Sequence, residues 1–281
     1  MNRRQITLSL ATFAIIITSF SCKKKGCTDL TADNYSAEAE KDDGSCEYTT
    51  EGELTLNFTH NFDGTAVTAA DFDQLSYTNL NGDVLSITKM QYLISDVRLY
   101  KTNGDSIYIQ GYHLVDMEDN ASLSYVLPKM IDIGNYNGIG FNYGFNAEDN
   151  VDGAYPDLNA ASWSSPMMLG GGYHQMKFEG RFIDMNMDTT GFQYHNLSTI
   201  RQISNGDTTF HENWANISMN KAFTTTGNAN IEVKMDIKQW FENPNTWMLD
   251  SNYTMLMPNY EAQVMMKENS SSVWSLGDIT E

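Results

Sequence analysis

The chain from Glu53 onward consists largely of short segments in which apolar and polar residues alternate. In LTLNFTH, Leu54, Leu56 and Phe58 fall on one side of an extended backbone, because the side chains of a strand point alternately to its two faces. This period of two predicts half-buried β-strands. The pattern recurs in YLISDVRLY (92–100), IYIQGYHLV (107–115), GIGFNYGF (138–145), NIEVKM (230–235) and YEAQVMM (260–266).

Turn residues between these segments predict how the strands connect. Asn81-Gly82 and Asn103-Gly104 each separate two alternating segments, which is typical of a tight hairpin between antiparallel neighbours. Because so many amphipathic strands must cover one another's apolar faces, the expected fold is all-β, an antiparallel two-sheet β-sandwich.

One short helix is predicted near the C-terminal part of the chain. In DIKQWFENP, Ile237, Trp240 and Phe241 form an apolar stripe at helical spacing. Asp236 is a suitable N-cap, and Pro244 limits the length of the helix. We expect this segment to close one end of the sandwich.

The first 21 residues have the proportions of a signal peptide. Two arginines precede an apolar stretch that is too short to span a membrane comfortably, and small residues follow. Cys22 comes next, as at a bacterial lipoprotein cleavage site, so we expect it to be lipidated and to anchor the protein. The alternative is plain secretion with Cys22 left as a free thiol.

The other two cysteines, Cys27 and Cys46, are expected to form a disulfide in an oxidising compartment. They lie in GCTDLTADNYSAEAEKDDGSCEY (26–48), which resembles short modules of secreted bacteroidete proteins that are likened to thrombospondin type 3 calcium repeats. A segment this small buries little core and needs such a staple. We therefore expect a module and linker over residues 22–50 and the main domain over residues 51–281.

The same module offers oxygen ligands of the kind that calcium prefers, from Asp29, Asn34, Asp42 and Asp43. The alternative is that Asp-Asp-Gly-Ser forms a turn without an ion. The module would then be a spacer between the lipid anchor and the domain.

Charge and motif content narrow the possible functions. The formal net charge of −19 argues against nucleic acid as a partner, because an acidic surface repels phosphates. The sequence contains no nucleophile elbow, phosphate-binding loop or HExxH motif. We therefore expect a protein that is not an enzyme.

The histidines are the candidate metal ligands. The alternation of GGGYHQMKFEG places His174 and Met176 on one face of a strand, and a hairpin with GFQYHNL would bring His195 close to His174. Imidazole binds copper, and a thioether prefers Cu(I). The alternative is a hydrogen-bonded core pair with methionine filling a gap. His60 and His113 lie on apolar strand faces, where a histidine is more often a core residue.

The main domain resembles the MbnP family of copper-binding proteins associated with methanobactin. The resemblance rests on the order of LTLNFTHNFDG, NGDVLSITKMQYLISDVRLY, YHLVD, YNGIGFNYGFN, GGGYHQMKFEG, FQYHNL and DIKQWF, starting near Leu54. It implies a periplasmic or surface β-sandwich that binds copper, and the family's histidines match His60, His174 and His195.

The resemblance also implies a partner. In some relatives the histidines share the ion with a tryptophan that a dihaem, peroxidase-type partner enzyme has oxidised to kynurenine. Trp163 precedes the three glycines here, but its spacing differs from that of the oxidised tryptophan in those relatives, so the resemblance does not extend the oxidation to it.

The expected function is that of a lipid-anchored extracytoplasmic copper-binding protein for metal scavenging, storage or delivery. It would be an outer-membrane lipoprotein that faces the periplasm or the cell surface, and Lys23, Lys24 and Lys25 after the anchor favour the inward side. The first alternative is a non-catalytic adhesion or ligand-binding β-sandwich without metal, which would expose a flat aromatic patch. The second is an enzyme that uses bound copper.

Overall fold

The structure is a computed structural model that describes residues 23–202 and 208–281. The predicted signal peptide and Cys22 lie outside the described residues. The chain divides into two compact units, one ending at Thr49 and the other covering Thr50–Glu281. Within the described ranges, no helix is both long and apolar enough to cross a membrane.

The first unit is held by the predicted disulfide. Cys27 and Cys46 are bonded, and Cys27 is buried, which confirms the pairing. Two short strands, β1 (Lys25–Gly26) and β2 (Lys41–Asp42), pair in parallel beside it. A covalent staple dominates here because the unit has few other buried apolar side chains to pack.

The second unit is built almost entirely from strands. They are β3 (Glu51–Gly52), β4 (Leu54–Phe62), β5 (Thr65–Ala66), β6 (Tyr77–Thr78), β7 (Val84–Lys101), β8 (Ser106–Asp116), β9 (Ser124–Val126), β10 (Ile131–Asp132), β11 (Gly134–Tyr143), β12 (His174–Ile183), β13 (Thr189–Leu197), β14 (Thr199–Gln202), β15 (Thr208–His211), β16 (Ala215–Met219), β17 (Phe223–Thr225), β18 (Ala229–Asp236) and β19 (Trp274–Thr280). The α-helices are α1 (Pro156–Ala160) and α2 (Tyr260–Asn269), and 3-10 turns cover Ala69–Asp71, Asn120–Leu123, Met167–Leu169 and Ile237–Phe241.

Most of these strands form two sheets. The larger sheet has the order β13-β12-β7-β11-β16, with β6 and β8 also paired to β7 and β17 paired to β11. The smaller sheet has the order β19-β18-β4-β5, with β9 paired to β4. The predicted all-β sandwich is confirmed. Its pairings within these sheets are antiparallel except that β4 and β18 run parallel.

The two predicted hairpins are present. Asn81-Gly82 connects β6 to β7, and Asn103-Gly104 connects β7 to β8. Both glycines have a positive φ, which residues with a side chain rarely adopt.

The main core lies between the two sheets. Leu54, Leu56 and Phe58 of β4 are buried, as their alternation predicts, and the ring of Phe58 packs edge-on against Tyr92 of the larger sheet at 6.0 Å. The predicted C-terminal helix is one 3-10 turn, Ile237–Phe241, which buries Ile237, Trp240 and Phe241. The carboxylate of Asp236 accepts from the Lys238 amide at 3.2 Å, as expected of the cap.

The prediction for residues 260–266 is wrong, because YEAQVMM lies in helix α2 rather than in a strand. Asn259 caps the helix by accepting from the Ala262 amide at 3.1 Å. The helix buries Ala262 and Met266, one turn apart, so a spacing of four residues rather than two decides which face is covered. The last strand, β19, was not predicted.

A second apolar cluster lies on the face of the larger sheet that is turned away from the smaller sheet, called here the outer face. Leu93 lies between Tyr92 and Ile94 of the main core, yet packs with Phe145, Leu158, Trp163 and Tyr173. The segment between β11 and β12 therefore folds over the outer face and buries Trp163 there.

Candidate metal centre

A bulge at the start of β12 decides which histidine faces which side of the larger sheet. His174 pairs with Leu197, whereas Met176 pairs with Asn196, so Gln175 is an extra residue in β12. A β-bulge interrupts the alternation of side chains. Met176 consequently packs in the main core, while His174 packs on the outer face beside Trp163. The prediction that His174 and Met176 share a face is therefore wrong.

The three glycines before β12 determine the path of the backbone that leads to His174. Gly170, Gly171 and Gly172 all have positive φ values, which explains why three residues without side chains stand together. A Cβ on Gly172 would lie 2.5 Å from Oδ1 of Asn150, the atom that accepts from the Tyr173 amide at 2.8 Å. The chain turns tightly here and enters β12 on the outer face.

The β12–β13 hairpin brings His174 and His195 together, as the sequence predicts for neighbouring strands. Their ring centres are 5.6 Å apart and the ring planes are nearly perpendicular, at 86°. His195 is directly opposite Lys177 in the ladder, and both residues lie on the outer face because Tyr194 and Phe178 occupy the core.

The hydrogen bonding of His174 fixes which nitrogen is free. Nδ1 lies 2.9 Å from the carbonyl oxygen of Trp163, and because a carbonyl only accepts, Nδ1 carries the proton. Nε2 therefore holds a lone pair, and this buried atom has no hydrogen-bond partner among the described residues. Burial above all lowers the pKa of His174 to about 3, against the raising effect of the hydrogen bond to Trp163 and with a smaller lowering effect from the charge of Lys177. The imidazole is therefore neutral near pH 7.

His195 is oriented in a similar way by a carboxylate. Its Nε2 lies 2.9 Å from Oε1 of Glu179, so Nε2–H donates, and in the neutral imidazole Nδ1 holds the lone pair. This hydrogen bond is the main cause that lowers the pKa of Glu179. In metal sites, the ligating histidine almost always donates its other ring nitrogen to a carbonyl or a carboxylate. Both histidines have this arrangement.

Gln263 of helix α2 holds the backbone of β13 around His195. Its Nε2 donates to the His195 carbonyl at 2.7 Å, and its Oε1 accepts from the Leu197 amide at 2.9 Å. Sequence reasoning missed both Gln263 and Glu179. The only signal for Glu179 was its position two residues after Lys177 on the same strand face, and Gln263 gave none, since its segment was expected to be a strand.

Comparison with known proteins places the chain in a family. The family model named MbnP matches residues 51–265 of the chain. The chain belongs to the MbnP family. A search of the solved structures finds similarity to MbnP from Methylosinus trichosporium, with a TM-score of 0.53 and 14% identity over 82% of this chain and 99% of that chain. At this identity the likeness shows the fold alone. No curated protein matches the chain.

The ring-centre distance between His174 and His195 is compatible with a shared ion. Two imidazoles whose nitrogens each lie about 2 Å from one ion have ring centres about 5 to 6 Å apart, which includes the observed 5.6 Å. Among residues 23–202 and 208–281, no group of three or more His, Cys, Asp or Glu side chains is placed to hold a metal.

The other predicted copper ligands lie on the core side of the larger sheet. Nε2 of His60 is 3.1 Å from the hydroxyl of Tyr92, and burial lowers the pKa of His60 to about 4. Tyr92 is the ladder partner of Met176, so His60 and Met176 belong to the core. The structure does not bring either of them to His174 and His195, because the sheet itself lies between.

Trp163 is the third aromatic side chain at the centre. It is fully buried, and its ring centre is 5.8 Å from that of His174. The ammonium group of Lys177 lies over its ring at 5.0 Å and donates to the Ser162 carbonyl at 2.7 Å. Trp163 thus contributes twice to the position of His174, through its ring and through its carbonyl oxygen.

Three of the four predicted calcium ligands of the first unit, Asp29, Asp42 and Asp43, serve as turn-forming acceptors, and Asn34 both donates and accepts. Asp29 accepts from the Thr31 amide, Asp42 from the Gly44 amide, and Asp43 from the Ser45 amide, at 2.9, 2.9 and 3.1 Å. Asn34 bridges the Ser45 carbonyl and the Glu47 amide. These contacts agree with the alternative that this segment forms turns, and calcium binding remains a prediction.

Proposed function

We propose that this chain is a lipid-anchored, extracytoplasmic copper-binding protein that scavenges, stores or delivers the metal through His174 and His195. One observation carries the proposal: the buried Nε2 of His174 has no partner in the described structure, while Nδ1 is tied to a carbonyl. A buried polar atom without a partner costs free energy. A metal ion on Nε2 would remove this cost.

Copper is the proposed metal because imidazole suits it and because the MbnP family is the family of copper proteins that the sequence resembles. The acidic chain, with a net charge of −19, also attracts cations. The disulfide in the first unit supports a location outside the cytoplasm, where disulfides persist.

The non-metal alternative has less support. It calls for separated histidines and a flat aromatic patch. His174 and His195 are adjacent, and the large exposed aromatic residues in the described part of the second unit, Tyr108 and Phe210, belong to different strands, β8 and β15.

The test is metal analysis of full-length protein extracted from the envelope and incubated anaerobically with Cu(I). We expect about one copper per chain in the wild type and none in the His174→Gln/His195→Gln variant, because both lone pairs are gone. His211→Gln is the control, since His211 bonds Asn213 elsewhere. Equal copper content in the wild type and the double variant would reject the site.

The anchor has its own test. Metabolic labelling with a radioactive fatty acid is expected to mark the wild type and not Cys22→Ser. Labelling of both proteins would reject lipidation at Cys22, whatever the copper result.

A further inference from the structure

A groove leads from the surface of the second unit to His195. It has a volume of about 270 Å³ and is bounded by two loops, the one that contains Pro166, Met168 and Leu169 and the one that covers residues 254–258. Gln193 and His195 of β13 also line it. His195 therefore lies between this groove and the buried ring of His174.

Three methionines line the groove, Met168, Met255 and Met257. The first two are 84% and 75% exposed, although an apolar side chain gains free energy when it is buried. Singly exposed methionines need no explanation, but three in one groove form a soft surface that ends at an imidazole. Thioether sulfur is a ligand that selects Cu(I) over harder cations.

We infer that this methionine groove, defined by Met168, Met255 and Met257, is the loading route by which Cu(I) reaches the histidine pair. The thioethers bind Cu(I) weakly, and His195 then replaces them as ligand, so copper–sulfur contacts give way to copper–nitrogen bonds without any change of oxidation state. The inference rests on the proposed function for the final site, but the groove's affinity for a soft cation can be tested without it.

The methionine groove explains how an ion could reach the histidine pair, one member of which is buried. The free nitrogen of His174 is buried, so an ion in water cannot reach it directly. His195 is half-buried and contacts both the groove and His174. A soft, weakly binding surface beside the more exposed ligand gives the ion an intermediate position with its water already partly removed.

The first experiment measures the rate of transfer from the coloured Cu(I) complex of bathocuproine disulfonate to the full-length protein. In Met168→Leu/Met255→Leu/Met257→Leu, which conserves side-chain volume, we expect about tenfold slower transfer with the same final copper content. The control is Met185→Leu/Met187→Leu in the β12–β13 turn. Met187 matches Met255 in its exposure and its positive φ but lies outside the groove, and its replacement is expected to leave the rate unchanged.

The second experiment uses Ag(I), a soft ion that mimics Cu(I), and protein labelled with ¹³C at the methionine methyl groups. In His174→Gln/His195→Gln, we expect Ag(I) to shift the methyl signals of Met168, Met255 and Met257 and to leave those of Met185 and Met187 in place. Normal transfer in the triple leucine variant, or no methyl shift with Ag(I), would overturn the loading route. A wild type without copper would overturn the proposed function instead, and the Ag(I) shifts would still decide whether the groove binds soft metal.

Discussion

The two faces of the larger sheet each hold a buried histidine, and the difference between them shows what marks a ligand. His60 on the core side and His174 on the outer face are 6% and 5% exposed. Burial lowers the pKa of both, to about 4 and about 3. Burial and pKa therefore do not distinguish a core histidine from a candidate ligand.

The difference lies in what each ring nitrogen contacts. Nε2 of His60 meets a hydroxyl group, that of Tyr92, which can donate or accept. Nε2 of His174 has no described partner, its Nδ1 is bonded to a carbonyl, and a second histidine stands beside it. His174 therefore joins a free lone pair and hydrogen-bonded support of the kind found in metal sites to a neighbouring imidazole, whereas Nε2 of His60 already has a partner.

Of the substitutions that distinguish the core side of the larger sheet from its outer face, those at Met176 are expected to have the largest effect on stability. Met176→Ala should lower the free energy of unfolding by about 2 to 5 kcal/mol, because it leaves a cavity in the core. Met176→Leu conserves the volume and should bind as much copper as the wild type, since residue 176 faces away from the pair. Urea denaturation and metal analysis measure the two effects.

Met168→Ala is the matched control for the first measurement, because Met168 is largely exposed, and its effect on stability should stay within about 0.5 kcal/mol. Loss of copper from folded Met176→Leu would show that the core thioether takes part in the site.

The next effect is expected at Glu179, which orients His195. Glu179→Gln should weaken copper binding by about 10- to 100-fold, because the amide holds the donating Nε2–H less strongly than the carboxylate does. Competition with a Cu(I) chelator measures the affinity.

Glu232→Gln is the control, since Glu232 is also a half-buried carboxylate on a strand but accepts from Thr59 and Asp278 of the smaller sheet. Equal weakening by both substitutions would indicate a general electrostatic effect rather than support of His195.

The smallest effect is the dependence of stability on pH through His60. Because the pKa of His60 in the folded protein is about 4, below its usual value, the unfolded chain takes up a proton first as the pH falls. The stability due to neutral His60 is thus complete above about pH 6.5 and is lost towards pH 4, by about 1 to 2 kcal/mol between pH 7 and pH 5. His60→Gln should lack this part of the loss.

Urea denaturation of the wild type and His60→Gln at both pH values checks the difference. Glutamine does not titrate but still offers a polar group to Tyr92. Parallel losses in the two proteins would contradict the assignment of this pH dependence to His60.

The sandwich and its hairpins were predictable because alternation and Asn-Gly turns act locally. The approach of His174 to His195 followed from one hairpin. The face of His174 did not, because HQMKFEG alternates without interruption in the sequence, and the extra residue at Gln175 appears only when β12 is paired with β13.

The two residues that orient His195, Glu179 and Gln263, could not be predicted from the sequence for a related reason. Glu179 and His195 are 16 positions apart and Gln263 is 68 positions from His195, so each contact depends on tertiary structure. For residues 260–266 the prediction of a strand followed the short apolar run, whereas the cap at Asn259 and the spacing of Ala262 and Met266 indicate the helix. The parallel pairing of β4 with β18 cannot be predicted from the sequence of either strand alone.

That parallel pair sets an order on the assembly of the protein. Glu53, next to β4, is hydrogen-bonded to Asn228, 175 positions later. During synthesis, β4 can therefore pair with β18 only after most of the polypeptide has been made. The β7–β8 and β12–β13 hairpins close over short distances, and such contacts form much faster than distant ones. The hairpins of the larger sheet, including the one that carries the histidine pair, can therefore form while β4, which also pairs with β5 and β9, still lacks its parallel partner β18.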